Sequence, residues 1–167
     1  MKAVTLLLTR LLLGGAFLIF GWTKVSGAPA FGSGQSFAEY FPGYVGRALA
    51  QDLPVSFWTP VLEYVHSNAA AVALAVGWGE LLLGICLVLG AFVPLAAVGG
   101  ILLVAATQLS ANPLTRDAPL WVRTRDLLDH VSVALLLLVV AVGGAGRVLG
   151  LDAFFFGRKK KAPPAGQ

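Results

Sequence analysis

The sequence predicts an all-α integral membrane protein, a four-helix bundle with a long aromatic outer segment between helices 1 and 2. Three observations carry that expectation. Of the 167 residues 57% are hydrophobic and only 12% charged, with a mean hydropathy of +0.83, whereas ordinary soluble chains carry about 25% charged residues. Four apolar segments, 4–22, 69–92, 95–109 and 127–148, reach or approach the roughly 20 residues that a helix needs to cross a hydrocarbon core. Their runs lack the two-residue alternation of a barrel strand, and an open sheet would leave backbone groups unpaired in lipid, so helices are the remaining solution.

The first span, 4–22, carries Arg10 inside its apolar run. Arg10, Gly14, Phe17, Gly21 and Lys24 recur at helical spacing and so share one stripe. A second reading stays open for this region, because Lys2, a short apolar core and Ala28-Pro29-Ala30 resemble a cleavable signal with a small-residue site. Next comes the outer segment, 24–68, which opens with "SGAPAFGSGQS" and then turns aromatic with Phe37, Tyr40, Phe41, Tyr44, Phe57, Trp58 and Tyr64. Pro42, Pro54 and Pro60 are expected to cut it into pieces too short to cross a bilayer. Such pieces suit the headgroup region, either as a lid on the bundle or as the mouth for an amphipathic ligand.

The second span, 69–92, places Ala73, Gly77, Glu80 and Gly84 on one stripe. Small residues at that spacing let helices approach closely in lipid, so this stripe and that of the first span should face protein. Little more than "GAFVPL" separates the second span from the third, 95–109, which implies a tight antiparallel hairpin with Pro94 at the start of the new helix. A polar outer loop, "SANPLTRDAPLWVRTRD", precedes the fourth span, 127–148. Asp126, His130, Val133, Leu137, Val140, Gly144 and Arg147 align along that last helix, with Asp129 adjacent. Residues 1–157 are read as one domain, and 158–167 as a basic, disordered cytoplasmic tail.

The formal charge of +4 does not point to nucleic acid, because it is concentrated in the run Arg158 to Lys161, which suits the cytoplasmic side of a membrane or anionic lipid. With both termini inside, seven Lys and Arg lie inside and five outside. The one cysteine, Cys86, excludes dithiol exchange within the chain, and neither His66 nor His130 belongs to a group with metal-ligand spacing. No metal or haem site is expected.

Glu80 is the candidate that most needs explaining, since an acidic residue at the centre of a membrane helix costs on the order of 2.5–3.5 kcal/mol on insertion scales. A salt bridge, protonation by desolvation, or a functional site would each make it tolerable, and the last is the default for such a residue. Rise per residue puts Glu80 roughly 16 Å and Arg10 roughly 20 Å below the outer edge, with Lys24 at the surface. Arg10 is therefore the expected partner of Glu80, and Lys24 is expected to snorkel outward or to point to acids at the other helix ends. Asp126 and His130 are read either as a proton relay or as groups that complement a helix N-terminus.

"RLLLGGAFLIFGWTK", "GELLLGICLVLGAFVPLAAVGG" and "RDLLDHVSVALLLLVVAVGGAGRVLGLD" together resemble the DoxX/DoxD family of bacterial membrane proteins. The resemblance implies a membrane subunit of the bacterial inner membrane like that of thiosulfate:quinone oxidoreductase, passing electrons to the membrane quinone pool. Arg10, Lys24, Glu80, Asp126 and His130 are the polar residues of the matched segments; Glu80, Arg10, His130 and Asp126 are the catalytic candidates. A quinone is the implied cofactor, with Lys24, Trp22 and Trp78 as candidates to line its site. The chain lacks the companion soluble subunit of the two-part enzyme, so a partner redox subunit or larger membrane complex is implied. The alternative expectation is a non-catalytic anchor or assembly subunit.

Overall fold

The computed structural model describes residues 2–29, 34–50, 56–110 and 118–155, and every regular element in them is helical. Arg116, Pro54 and the basic tail at 158–167 lie outside the described residues. Seven α-helices follow in order: α1 (Lys2–Val25), α2 (Phe37–Leu49), α3 (Thr59–Ser67), α4 (Ala69–Leu89), α5 (Val93–Leu109), α6 (Leu120–Val142) and α7 (Leu151–Phe155). Single 3-10 turns, Ser56–Trp58 and Ala145–Arg147, precede α3 and follow α6.

Of these, α1 and α4 are each long and apolar enough to cross a membrane, with mean hydropathies of 2.1 and 2.2, while α5 is apolar but shorter. Their outward faces are not covered by protein: Leu12 is 75% exposed and Leu82 62%. A soluble protein rarely leaves large apolar patches bare, so these faces belong against lipid.

Helix ends are set by local chemistry. At the end of α4, Gly90 adopts φ 68, its N–H bonds to Leu87 O at 3.2 Å, and Ala91 N–H reaches Cys86 O at 2.9 Å. That paired closure satisfies two carbonyls left open by the helix end and needs a residue tolerant of positive φ. Pro94 then falls in the first turn of α5, where its missing N–H removes nothing. The fourth apolar segment differs from the expected 127–148. Its helix starts at Leu120 and stops at Val142, because polar residues extend a helix as readily as apolar ones, while Gly143 and the left-handed Gly144 (φ 68) turn the chain. Pro42 does not cut the outer segment either; it lies inside α2, where the exposed Ala38 carbonyl that loses its partner can be solvated.

Packing runs α1 on α4, α4 on α5, α5 on α6 and α6 on α1. The α1–α4 seam is built on glycine. A Cβ at Gly14 would lie 2.8 Å from Val88 Cγ2, one at Gly84 2.6 Å from Leu18 N, and one at Gly21 would strike the Leu81 backbone. Such backbone approach maximises dispersion where no hydrophobic drive separates helix from lipid. Leu13, Phe17, Leu87, Val93, Ala97, Leu137 and Val140 fill the main core. At one end of the molecule, here the lid end, α2 and α3 pack together through Val45, Ala48 and Leu62. At the opposite end the 3-10 turn and α7 fold back as a hook.

Candidate functional site

Antiparallel packing of α1 and α4 fixes which charges meet. Gly77 lies against the Lys24 stem, with its added Cβ 3.1 Å from Lys24 Cβ, and Glu80 follows one turn along the same face. Lys24 Nζ bonds to Glu80 Oε1, and the two side chains are only 13% and 7% exposed. Glu80 Oε2 is buried and has no hydrogen-bond partner among the described residues. This corrects the expected Arg10–Glu80 pair. Glycine registration places Arg10 beside Gly90, ten residues and about 15 Å from Glu80 along α4, which exceeds the reach of a guanidinium. Lys24, expected to snorkel outward, instead turns into the seam.

Arg10 is occupied at the hook end. It is 1% exposed, and its Nη1 donates to Ala145 O at 2.8 Å and Val148 O at 3.2 Å, while Nη2 reaches Leu149 O at 3.5 Å. Those carbonyls follow the end of α6, and Ala145 O also accepts from Val148 N–H at 3.1 Å. Asp152 completes the hook: its carboxylate accepts from Phe92 N–H at 2.7 Å and Val93 N–H at 3.0 Å, and its own N–H donates to Gly90 O at 2.9 Å. It thereby caps α5 and holds Phe92 at its unusual φ of 50. Sequence reasoning missed Asp152 because the helix it caps begins 59 residues upstream of it.

At the lid end, Phe37, the first residue of α2, covers the buried pair. Its ring centroid is 5.1 Å from Lys24 Nζ, a cation–π contact, and the ring packs on Ala73, Val76 and Phe41. The N-terminus of α2 is fixed by Glu39, whose carboxylate accepts from Ser36 N–H at 2.9 Å and from the Ser36 hydroxyl at 2.8 Å. The hydroxyl bond first, then the backbone bond, hold the Glu39 carboxyl below the usual carboxylate range. Neither Phe37 nor Glu39 is visible as a site residue in one sequence, since "SFAEYF" reads only as a capped aromatic helix start.

A second polar group lies at the same end between α2, α5 and α6. His130 Nδ1–H donates to Asp126 O at 2.7 Å, and Asp126 Oδ1 is 3.8 Å from the same nitrogen. Gln108 Nε2 approaches Asp126 Oδ2 at 3.4 Å, and Trp58 Nε1–H donates to Ser110 Oγ at 3.2 Å. Burial first, then the charges of Tyr40 and Asp126, push the Tyr44 phenol up to about 12, with Arg47 opposing. Asp126 and His130 are thus brought together, but no bond in the described residues joins them to Glu80. Trp22 and Trp78 are 62% and 54% exposed on the faces of α1 and α4 turned away from the pair, so they do not line it.

Chemically, the α1–α4 seam offers one buried ammonium, one buried carboxyl with an uncommitted oxygen, and an aromatic cover. That set can donate a hydrogen bond, accept one, and hold or release a proton away from bulk water. A family model described as DoxX matches residues 5–113, which includes Arg10, Lys24 and Glu80 and ends before Asp126, His130 and Asp152. No curated protein and no solved structure gives a match.

Proposed function

The chain belongs to the DoxX family, whose members are membrane-associated, and on that premise we propose that it is a four-helix transmembrane subunit of a quinone-linked redox system. It acts as in thiosulfate:quinone oxidoreductase, passing electrons to the quinone pool of a bacterial inner membrane. The lid end faces outward and both termini face the cytoplasm, in keeping with seven Lys and Arg inside against five outside. The observation that carries this reading is Glu80, buried against Lys24 with Oε2 unpartnered among the described residues. An ionisable pair within a membrane helix is costly unless it is used, and a quinone carbonyl fits a donor set of one ammonium and one carboxyl.

When bound, a quinone supplies two-electron, two-proton chemistry. The chain's own residues do the rest: Lys24 donates a hydrogen bond and stabilises negative charge, Glu80 holds or releases a proton at Oε2, and Phe37 excludes water. Electrons come from a partner redox subunit, because Cys86 alone forms no dithiol.

The test is thiosulfate-dependent quinone reduction in membranes of a deletion strain complemented with wild type or Glu80→Gln, with insertion checked by blot. Wild type restores activity, and Glu80→Gln at equal insertion lowers it at least about a hundredfold, the usual weight of a proton-transfer group. Equal reduction in wild-type and deleted membranes would overturn the redox reading.

The second reading, a non-catalytic anchor or assembly subunit, is favoured by the Arg10–Asp152 hook, where both Arg10 terminal nitrogens and both Asp152 oxygens bond to backbone groups of other elements, although Arg10 Nε has no partner among the described residues. It predicts that deletion dissolves a larger membrane complex and that Glu80→Gln restores it fully.

A further inference from the structure

The buried pair has one cover at the lid end, and its construction differs from the rest of the seam. Along α4, Gly84 and Gly77 are filled by the α1 backbone and the Lys24 stem. One turn beyond Gly77, Ala73 is 2% exposed although α1 ends at Val25, because Phe37 of α2 has taken its place. The Phe37 ring, 6% exposed, therefore fills the mouth of the α1–α4 trough and shields the Lys24 ammonium. One turn below Gly77 and two below Ala73 sits Glu80, 5% exposed, with its unpartnered Oε2.

We propose that Phe37 is a displaceable plug, and that a flat quinonoid ring takes its place over Lys24, in the recess beside Ala73 and Val76, to reach Glu80. Phe37 is then a positioning and access residue, and the ligand enters from the lid end. The inference rests on the quinone reading for the identity of the ring and on geometry alone for the plug. An aromatic ring leaving a cation–π contact is best replaced by another flat ring, since that restores the contact area and the shielding of the ammonium together. The opposite end offers no comparable cover, since Arg10 there is bonded to the carbonyls after α6 and Asp152 to the Phe92 and Val93 N–H groups. At the lid end the displacement needs the Phe37 ring to leave its contacts with Ala73, Val76 and Phe41.

The experiment uses the full chain in liposomes and an apolar carbodiimide, which reacts with buried protonated carboxyls. Loss of the unmodified Glu80 peptide, whether as adduct or as cross-link to Lys24, is followed by mass spectrometry in wild type, Phe37→Leu and Phe37→Ala, with and without a short-chain ubiquinone. Glu80 is expected to react about tenfold faster in Phe37→Ala than in wild type, with Phe37→Leu between them, as the cation–π shield and ring volume are lost. The ubiquinone is expected to slow the reaction in all three. Reaction of Phe37→Ala at the wild-type rate, with denatured protein fully labelled, overturns the plug. Where Phe37→Ala does not insert, Phe37→Leu at the wild-type rate does the same. Faster reaction that ubiquinone leaves unchanged supports the plug and overturns the quinone reading, so the two failures are distinguishable.

Discussion

Replacing Lys24 and Glu80 separately and together measures the pair on which the functional reading depends. Both side chains are nearly out of contact with solvent, at 13% and 7% exposure, so removing one strands the other. Loss of one partner of a buried pair costs about 3–5 kcal/mol, whereas replacing both by apolar groups of similar volume is close to neutral. Lys24→Met and Glu80→Met are thus each expected to destabilise by about 3 kcal/mol or more, and the double variant by less than about 1 kcal/mol. The implied coupling of several kcal/mol is well above the roughly 0.5 kcal/mol by which independent sites depart from additivity. Arg10→Met combined with Glu80→Met serves as the control and should be additive, because Arg10 bonds to carbonyls at the hook end. The assay is reversible unfolding of the purified protein in mixed micelles, followed by circular dichroism. Additivity of Lys24 with Glu80, or coupling of Glu80 with Arg10, would refute the seam registration and with it the site. Activity adds a separate readout, since the double variant should fold yet support no quinone reduction.

Four further outcomes follow from the same geometry. Arg10→Met removes the guanidinium donors to the carbonyls of Ala145, Val148 and Leu149, leaving Ala145 O the Val148 N–H, and at about 1.5 kcal/mol or more per charged hydrogen bond it should release residues 145–155 to rapid hydrogen exchange. Asp152→Asn should loosen the same region by only about 1 kcal/mol through loss of the α5 cap. Gly84→Leu should force α1 from α4, because even a Cβ lies 2.6 Å from Leu18 N, while Gly15→Ala meets nothing within 4 Å and should be neutral or slightly stabilising; thermal unfolding separates the two. Tyr44, with its folded pKa raised from 10.0 to about 12, favours the neutral phenol. Its stabilisation is complete below pH 10 and lost as pH rises toward 12, so Tyr44→Phe should blunt alkaline unfolding, read against phenolate absorbance.

Helical class, the glycine stripes and the placement of Glu80 on a protein-facing stripe were legible in the sequence because each is a local or periodic property. Apolar runs without alternation specify helices in lipid, and Gly14, Gly21, Gly77 and Gly84 at helical spacing announced a close seam before any contact was known. Which charge meets Glu80 was not legible. A depth estimate assumes that the outer ends of the two spans lie level, whereas Gly77 packs against Lys24, so α4 starts at Ala69, eight residues or about 12 Å beyond that contact. The fourth helix starts before its apolar run for a different reason, since its polar start "LWVRTRD" continues the helix without adding to that run.

By itself, then, the sequence determined the solvent this chain belongs in, the helices that result and a carboxyl, Glu80, whose burial demands a reason. Those follow from transfer free energies and periodicity, which each residue carries with it. Only the tertiary structure decided that Lys24 neutralises Glu80, that Arg10 and Asp152 close the hook, and that Phe37 covers the pair. Each of these joins groups far apart in the chain, and their meeting depends on the antiparallel register that backbone contact at the glycines allows.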